Sequence, residues 1–369
     1  MKIRCEKENL LTAVQIVQKA TASKTTLPIL TGILLSASDN FLELQATDYE
    51  TGISMIIPAE VVESGKIVLS GKFFPEIIRK VAGQAIEITS LTQGNMVSVA
   101  SDKVEFKVLS FPADEFPNIK RFESHNEFVI KDDVLKDLIR KTVFSCSTDE
   151  SRPLFTGVLI EISSHGVSVV ATNTHRLALK KCLLETGLTE TRMIVPGKIM
   201  NEIARALSFD LPVDVKVQWL KNQVSFNFEN VYVMSRLIEG QFPDYRKVIP
   251  SEFTSYCTVG ADMLFEAVER VSLLAKDGDY NIIRMKFGRE SIDLSGNNPD
   301  AGSATETLAV SLEGEPIEIA FNAKYMLDVL RLAGSGQVRF NLKSALSPVM
   351  INLMDDPDYT YIITPIRTN

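Results

Sequence analysis

Gly71-Lys72-Phe73-Phe74-Pro75-Glu76-Ile77-Ile78-Arg79 returns without gaps as Gly197-Lys198-Ile199-Met200-Asn201-Glu202-Ile203-Ala204-Arg205 and again as Ala323-Lys324-Tyr325-Met326-Leu327-Asp328-Val329-Leu330-Arg331, each copy 126 residues after the last. Lys, an acid and Arg hold the same three places in every copy. A second match, at a spacing of 125, relates Leu27-Pro28-Ile29-Leu30-Thr31-Gly32 with Ala46-Thr47 to Arg152-Pro153-Leu154-Phe155-Thr156-Gly157 with Ala171-Thr172. Self-similarity at a fixed period is the mark of a repeat architecture. Three copies of about 123 residues occupy the 369-residue chain, which divides as 1–122, 123–247 and 248–369.

Each copy opens on an amphipathic helical pattern, with apolar residues three and four apart: Leu10, Leu11, Val14 and Val17; Leu135, Leu138 and Ile139; Leu264, Ala267, Val268 and Val271. After a second helix comes a meander with alternation of period two: Val104-Phe106-Val108, Val224-Phe226-Phe228 and Val338-Phe340-Leu342. Helix, strands, helix, strands, repeated three times, predicts an α+β fold with mainly antiparallel sheets. The charged connectors Lys120 to Glu127 and Tyr245 to Glu252 each follow a Phe-Pro pair, Phe116-Pro117 and Phe242-Pro243.

Residues on a helix are 100° apart, so Phe74, Ile77, Ile78 and Val81 fall on one side with Lys72 and Arg79 nearly opposite. The later copies repeat this, with Lys198 and Arg205, and Lys324 and Arg331, on the outward side. The intervening acid (Glu76, Glu202, Asp328) can pair with the Arg three residues on, worth a few tenths of a kcal/mol. Summed over the windows 8–24, 70–83, 131–146, 196–208, 261–276 and 322–334, the predicted helices carry 15 basic and 10 acidic residues against a whole-chain charge of −8. A net +5 in the helices against −13 elsewhere predicts a basic helical lining on an acidic protein.

That acidic total argues against a protein that coats nucleic acid by bulk charge, though not against a local basic surface. The chain is 45% apolar and 23% charged, as in ordinary globular proteins. No apolar run reaches the roughly 18 to 20 residues of a membrane span, and the N-terminus has no signal-peptide core, so a cytoplasmic protein is expected. Cys5, Cys146, Cys182 and Cys257 are widely spaced and form no CxxC pair, which reads as four buried thiols. Gly65 to Lys72 imitates a phosphate-binding loop but has five residues between its glycines, and Phe73 stands where Ser or Thr would hold the metal. Gly334-Ser335-Gly336 lacks the third glycine of a dinucleotide fingerprint, Arg339 taking its place. The three histidines, His125, His165 and His175, have no metal-ligand spacing. No catalytic residue, metal or cofactor is therefore expected. The competing reading is a hydrolase of unfamiliar type using His175, Asp48 or Glu50 in a cleft.

Packing geometry suggests an assembly. A compact domain of 123 residues has a diameter of about 35 Å, and a closed ring of three leaves a gap of only about 5 Å, four about 14 Å and six about 35 Å. Only six admit a DNA duplex loosely. One chain supplies three, so a head-to-tail homodimer is the simplest closed solution.

Met1-Lys2-Ile3, Leu27-Pro28-Ile29-Leu30, Ala171-Thr172-Asn173-Thr174-His175-Arg176-Leu177, Phe242-Pro243-Asp244-Tyr245-Arg246 and Pro365-Ile366-Arg367 together resemble the bacterial sliding clamps, the beta subunits of DNA polymerase III. The resemblance runs in order through essentially the whole chain. It implies three tandem two-helix, antiparallel-sheet clamp domains per chain and a six-domain ring from two chains. Helices would line the ring, sheets would face outward, and the ring would encircle duplex DNA and tether the replicative polymerase. The implied partners are double-stranded DNA bound without sequence preference, a second copy of the chain, the catalytic subunit of the replicative polymerase, an ATP-dependent clamp loader, and other polymerases and repair proteins carrying a clamp-binding peptide.

Carried over position by position, the family's partner-peptide pocket comprises Phe155, Thr172, His175, Arg176, Leu177, Pro243, Lys247, Val248, Asn322, Tyr325, Leu346, Pro348, Ile362, Pro365, Ile366 and Arg367. An apolar slot with a few polar groups suits a short anchor peptide. The sequence departs from the family in Asn173-Thr174, where Asp-Gly is usual, in Thr364, where Met is common, and in Thr368-Asn369 beyond Arg367. The resemblance points to Lys24, Arg152, Lys198 and Arg205 as phosphate-facing, beside the helical Lys72 and Arg79; Gly197 replaces an often basic residue. Phosphate contacts without base readout position a duplex and store no sequence preference. For the ring seam, the resemblance pairs Phe106 and Val108 with Leu273 and Leu274 of the other subunit.

Overall fold

The computed structural model describes residues 1–91, 95–207, 211–275 and 281–367; Lys276 of the fifth helical window and the Thr368-Asn369 extension lie outside them. Six α-helices occur among the described residues: α1 (Lys7–Val17), α2 (Phe74–Lys80), α3 (Asp132–Arg140), α4 (Gly197–Ala206), α5 (Ala261–Ser272) and α6 (Ala323–Ala333). The chain forms two compact units, one of residues 1–136 and 198–237, the other of residues 137–197 and 238–369. The first unit contains a thirteen-stranded sheet, and the second contains sheets of nine and four strands. The strand pairings among the described residues are antiparallel, as the alternating sequence patterns predict.

The helical faces anticipated from spacing are the buried ones. Leu10, Val14 and Val17 of α1, Leu264, Ala267, Val268 and Val271 of α5, and Met326, Val329 and Leu330 of α6 are inaccessible or nearly so. In each second helix the anticipated ion pair forms, Arg79 with Glu76, Arg205 with Glu202 at 2.8 Å and Arg331 with Asp328 at 3.6 Å. Because α2 begins only at Phe74, Lys72 lies in the turn before it and not on its outward face.

The charge contrast also changes once the helices have real ends. Within their bounds the six helices carry ten basic and ten acidic residues. The excess found in the wider windows resides in flanking residues such as Lys19, Lys24, Lys72, Lys131 and Lys141. Cys5 and Cys257 are buried thiols as expected, whereas Cys146 and Cys182 are only partly covered.

Backbone ladders join successive repeats. Thr51–Pro58 of the first repeat pairs with Val231–Arg236 of the second, setting Ile53 opposite Val233. In the second unit Arg176–Leu183 pairs in the same way with Asp356–Ile363 of the third repeat, setting Ala178 opposite Tyr361. Hairpin registers identify the equivalent places: Ala46 faces Ile53, Ala171 faces Ala178 and Gly296 faces Ala304, while Val99 faces Phe106, Phe226 faces Val233 and Ile351 faces Tyr361. The strands still lacking such a partner are Val104–Phe111 of the first repeat and Gly302–Ala309 of the third. The former meets Gly65–Ser70 only through Phe111 and Ser110, and the latter is the edge of the four-stranded sheet.

Lys180 and Asp356, on the paired strands Arg176–Leu183 and Asp356–Ile363, belong to an ionic cluster. Lys141 and Lys180 both reach the Asp356 carboxylate, at 2.6 and 2.5 Å, and Asp137 lies 2.9 Å from Lys141. Burial raises the Asp356 pKa, but hydrogen bonds from the two lysines outweigh it and hold the group below its ordinary value. Its contribution to stability is therefore complete above the unfolded-state pKa of about 4 and is lost as pH falls through the lower folded value. Asp356→Ala, which leaves the largely buried Lys141 and Lys180 ammonium groups to share Asp137 alone, is expected to lower the unfolding free energy by about 3 kcal/mol at pH 7. Urea titrations at descending pH are expected to show the difference from the parent protein shrinking below about pH 4.

Candidate functional site

All sixteen residues of the expected peptide pocket lie in the second unit, where a ladder pairs Leu177 with Ile362 and Arg176 with Ile363. Both Leu177 and Ile362 are buried in a cluster with Leu159, Val170, Leu179, Ile194 and Tyr245, against which Met350 and Phe242 pack. Phe155 meets the Phe242 ring edge-on at 6.2 Å. Over this floor the apolar groups are uncovered: Val248 is 50% and Leu346 60% exposed, Pro243 is exposed, and Pro348, Pro365 and Ile366 are partly so. A buried aliphatic cluster and exposed apolar neighbours are the two kinds of group that an anchor-peptide pocket combines.

Its polar edge is built by the loop from Thr172 to Arg176. The Asn173 side-chain carbonyl accepts from the backbone N–H groups of His175 and Arg176 at 3.1 and 3.0 Å, while its amide donates to the Tyr325 hydroxyl at 3.0 Å. The Thr172 hydroxyl donates to the Arg176 carbonyl at 2.7 Å. Thr174 occupies the left-handed region at φ 77°, where Gly is at ease and Thr is strained. Asn173 therefore supplies the loop-closing acceptor, and Thr174 carries the strain that the more usual Gly would avoid.

Thr364, another departure from the family pattern, donates from its N–H and its hydroxyl to the His175 carbonyl, at 2.9 and 2.7 Å. The Ile366 N–H reaches the Ala320 carbonyl at 2.8 Å, so the C-terminal segment is pinned as it leaves the sheet. Asn322 caps α6 by accepting from the Tyr325 N–H at 3.3 Å. Lys247 lies 3.7 Å from Asp244, and Arg367 is exposed.

Behind the rim, Arg176 is almost wholly buried. Its guanidinium contacts Asp328 at 2.6 Å, donates to the Phe144 carbonyl and lies over the Tyr325 and Phe144 rings at 4.3 and 5.2 Å. Burial disfavours its charge, but the phenol of Tyr361 and the carboxylate of Asp328 more than compensate and raise its pKa. Phe144 and Asp328 are the site residues that the sequence reading misses. Asp328 is legible there only as the helical partner of Arg331, and Phe144 as a helix-end residue.

On the corresponding face of the first unit the equivalent space is occupied. Gly52 holds the place of Leu177, and the space beside it is taken by Ile119 and Met234, both 3.2 Å from where a Cβ would lie. Arg121 covers the adjoining Tyr232 ring at 5.2 Å and donates to Ser54 at 3.2 Å.

The expected phosphate-facing residues, Lys24, Lys72, Arg79, Lys198 and Arg205 in the first unit and Arg152 in the second, are all exposed. Arg79 and Arg205 are already paired with neighbouring acids, whereas the Lys72 ammonium lies over the Phe73 ring at 5.4 Å. At the expected seam, Phe106 is 36% and Leu273 64% exposed, Val108 and Leu274 are partly covered, and Val104 and Leu109 are also exposed. Unlike Val224-Phe226-Phe228 and Val338-Phe340-Leu342, the Val104-Phe106-Val108 stripe is uncovered.

No group of three or more His, Cys, Asp or Glu residues placed to hold a metal occurs among the described residues. Asp48 is engaged in capping its own loop, accepting from the N–H groups of Glu50 and Thr51, and Glu50 lies 3.5 Å from Arg236. His175 enters the pocket through its backbone bonds. No described helix is long and apolar enough to cross a membrane.

Family models match nearly the whole chain in order: the N-terminal domain of the DNA polymerase III beta subunit over residues 1–120, its central domain over 129–244 and its C-terminal domain over 246–367. The chain belongs to the DNA polymerase III beta subunit family. It is 35% identical to the beta sliding clamp of Bacillus subtilis and 31% identical to that of Staphylococcus aureus, each alignment covering 100% of both chains. Among solved structures, the sliding clamp of Bacillus subtilis matches with a TM-score of 0.92 at 34% identity, and the beta subunit of Thermotoga maritima with 0.92 at 29%, both over 100% of each chain. A Pseudomonas aeruginosa sliding clamp bound to griselimycin matches over 100% of each chain with a TM-score of 0.91 at 27% identity. As a beta subunit the chain is a DNA sliding clamp, a non-catalytic accessory subunit of DNA polymerase III, and the hydrolase reading is set aside.

Proposed function

We propose that two copies of this chain close head to tail into a ring of six domains around duplex DNA, and that the slot at Leu177 and Ile362 receives the anchor peptide of the replicative polymerase. The observation that carries this reading is the pair of open strands, Val104–Phe111 and Gly302–Ala309, left where the repeated ladder predicts one more junction. An unpaired edge with an apolar stripe is a template for another chain. Since each chain carries one of each strand, joining Val104–Phe111 of one protomer to Gly302–Ala309 of its partner is a head-to-tail contact that two chains close at two equivalent seams.

Repeat equivalence supplies the register. If the third junction copies the other two, Phe106 of one protomer faces Ala304 of its partner, as Val233 faces Ile53 and Tyr361 faces Ala178. Phe106 and Val108 would then cover the exposed Leu273 and the partly covered Leu274. The domain limits are 1–122, 123–247 and 248–369, each junction strand pair linking one domain to the next.

Lys24, Lys72, Arg79, Arg152, Lys198 and Arg205 would face the phosphates and hold the duplex by charge alone, so that position along it costs little. A ring must be opened to admit DNA, which calls for an ATP-dependent loader. One slot per chain leaves room for exchange among the replicative polymerase, other polymerases and repair proteins carrying a similar peptide. A ligand-bound relative, the Pseudomonas aeruginosa clamp with griselimycin, supports a binding slot on this fold. The protein would act in the cytoplasm, where bacterial DNA is copied.

Loaded onto a nicked circle, the protein is expected to co-elute with the DNA in high salt and to be lost once the circle is cut; retention on the linear product would overturn encirclement. Deleting Pro365 to Asn369 is expected to abolish binding of a polymerase-derived peptide in fluorescence anisotropy while leaving the dimer intact. Phe106→Ala is expected to raise the dimer dissociation constant at least tenfold in sedimentation. Adding Ala304→Phe, which returns the ring from the opposite strand, is expected to recover most of the loss, and a further weakening would place the register elsewhere.

A further inference from the structure

At the first junction, beneath the paired strands Thr51–Pro58 and Val231–Arg236, the first unit contains a cleft of about 500 Å³ between α1 and α4. Its floor is aliphatic, formed by Ile16, Ile53, Met55, Ile199, Val231 and Val233, and its charged lining is Glu202 with Lys19 and Arg205. The repeat provides a control within the same chain. At the second junction the equivalent positions are Lys141, Ala178, Lys180, Tyr325, Tyr359 and Tyr361, and Tyr359 and Tyr361 are completely buried there. Three tyrosines stand at the second junction where Ile199, Val231 and Val233 stand at the first, and only Ala178 is smaller than its counterpart, Ile53.

The acid shows what is missing. Asp328, the equivalent of Glu202, takes Arg331 on one carboxylate oxygen and the buried guanidinium of Arg176 on the other, at 3.6 and 2.6 Å. Glu202 takes Arg205 on Oε1 at 2.8 Å in the same way, but its Oε2 accepts no hydrogen bond among the described residues and has only the Lys19 ammonium at 4.0 Å. The Glu202 side chain is 16% exposed, so its second oxygen is partly withdrawn from water. Arg176 has no counterpart at the first junction, where Thr51 occupies its place.

We infer that this cleft is a binding site for a small cation of the alkylguanidinium class, whose planar head donates to Glu202 Oε2 and whose apolar stem lies on Ile53, Met55 and Val233. A charged, forked donor matches a carboxylate better than a point ammonium does. The aliphatic floor adds burial of the stem, and the volume lies within the range of small-molecule sites. The site is separate from the peptide slot and does not depend on ring closure.

The test uses the full chain, n-butylguanidinium as probe and methyl NMR as readout. Saturable shifts confined to the methyls of Ile16, Ile53, Met55, Ile199, Val231 and Val233 are expected, with n-butylammonium binding at least fivefold more weakly. Glu202→Gln is expected to weaken the guanidinium at least tenfold. Val231→Tyr with Val233→Tyr, copying the second junction, is expected to remove binding; should that variant fail to fold, the Glu202→Gln titration decides alone. Absence of saturable shifts, equal affinity for the ammonium probe, or affinity unchanged in Glu202→Gln would overturn the assignment.

Discussion

The antiparallel ladder between a strand of one repeat and a strand of the next is the contact on which the rest of this structure depends. It satisfies backbone donors and acceptors that each repeat would otherwise leave at an open edge, and an unpaired edge in water invites association with whatever strand is nearest. Two ladders, at Ile53–Val233 and at Ala178–Tyr361, pair four of the six equivalent junction strands of the three repeats. The remaining two belong to the first and third repeats, because a row of repeats joined end to end always leaves one junction strand at each end, and those two ends are what a second chain can satisfy. The same ladder also positions the candidate peptide slot, since Leu177 and Ile362 come side by side only because their strands pair.

Equivalent junctions have been filled differently, and that difference separates their uses. At the second, a buried guanidinium, stacked aromatics and the Lys141–Lys180–Asp356 cluster occupy the helical side, while the outer side carries the aliphatic cluster of the candidate peptide slot. At the first, Ile119 and Arg121 close the outer side and the helical side is left with a cleft. Buried charge is costly unless paired. Arg176 tolerates its burial through Asp328, the Phe144 carbonyl and two aromatic faces, and this packing is what holds the rim of the slot in place.

Much of the architecture was legible from pattern. The three-fold period, the buried faces of the helices and the acid–Arg pairs at a spacing of three follow from rules of local geometry, and the structure bears out each of them. Helix ends were not legible at the same level. The wide windows took in Lys19, Lys24, Lys72, Lys131 and Lys141, and with them a net charge that the helices proper do not carry. The pocket residues were named through family resemblance, whereas Phe144 and Asp328 carry no local signal, because their roles depend on Arg176, which is 32 and 152 residues away in the chain.

The sequence by itself determined that this is a chain of three like α+β repeats with antiparallel sheets and no recognisable catalytic or metal-binding motif, because periodicity and motif spacing are properties of neighbouring residues. Only the tertiary structure decided which strands remain open, which junction is filled and which hollow, and which carboxylate oxygen of Glu202 lacks a donor. Those are matters of long-range pairing and side-chain volume, set when segments more than a hundred residues apart meet, and no local pattern encodes them.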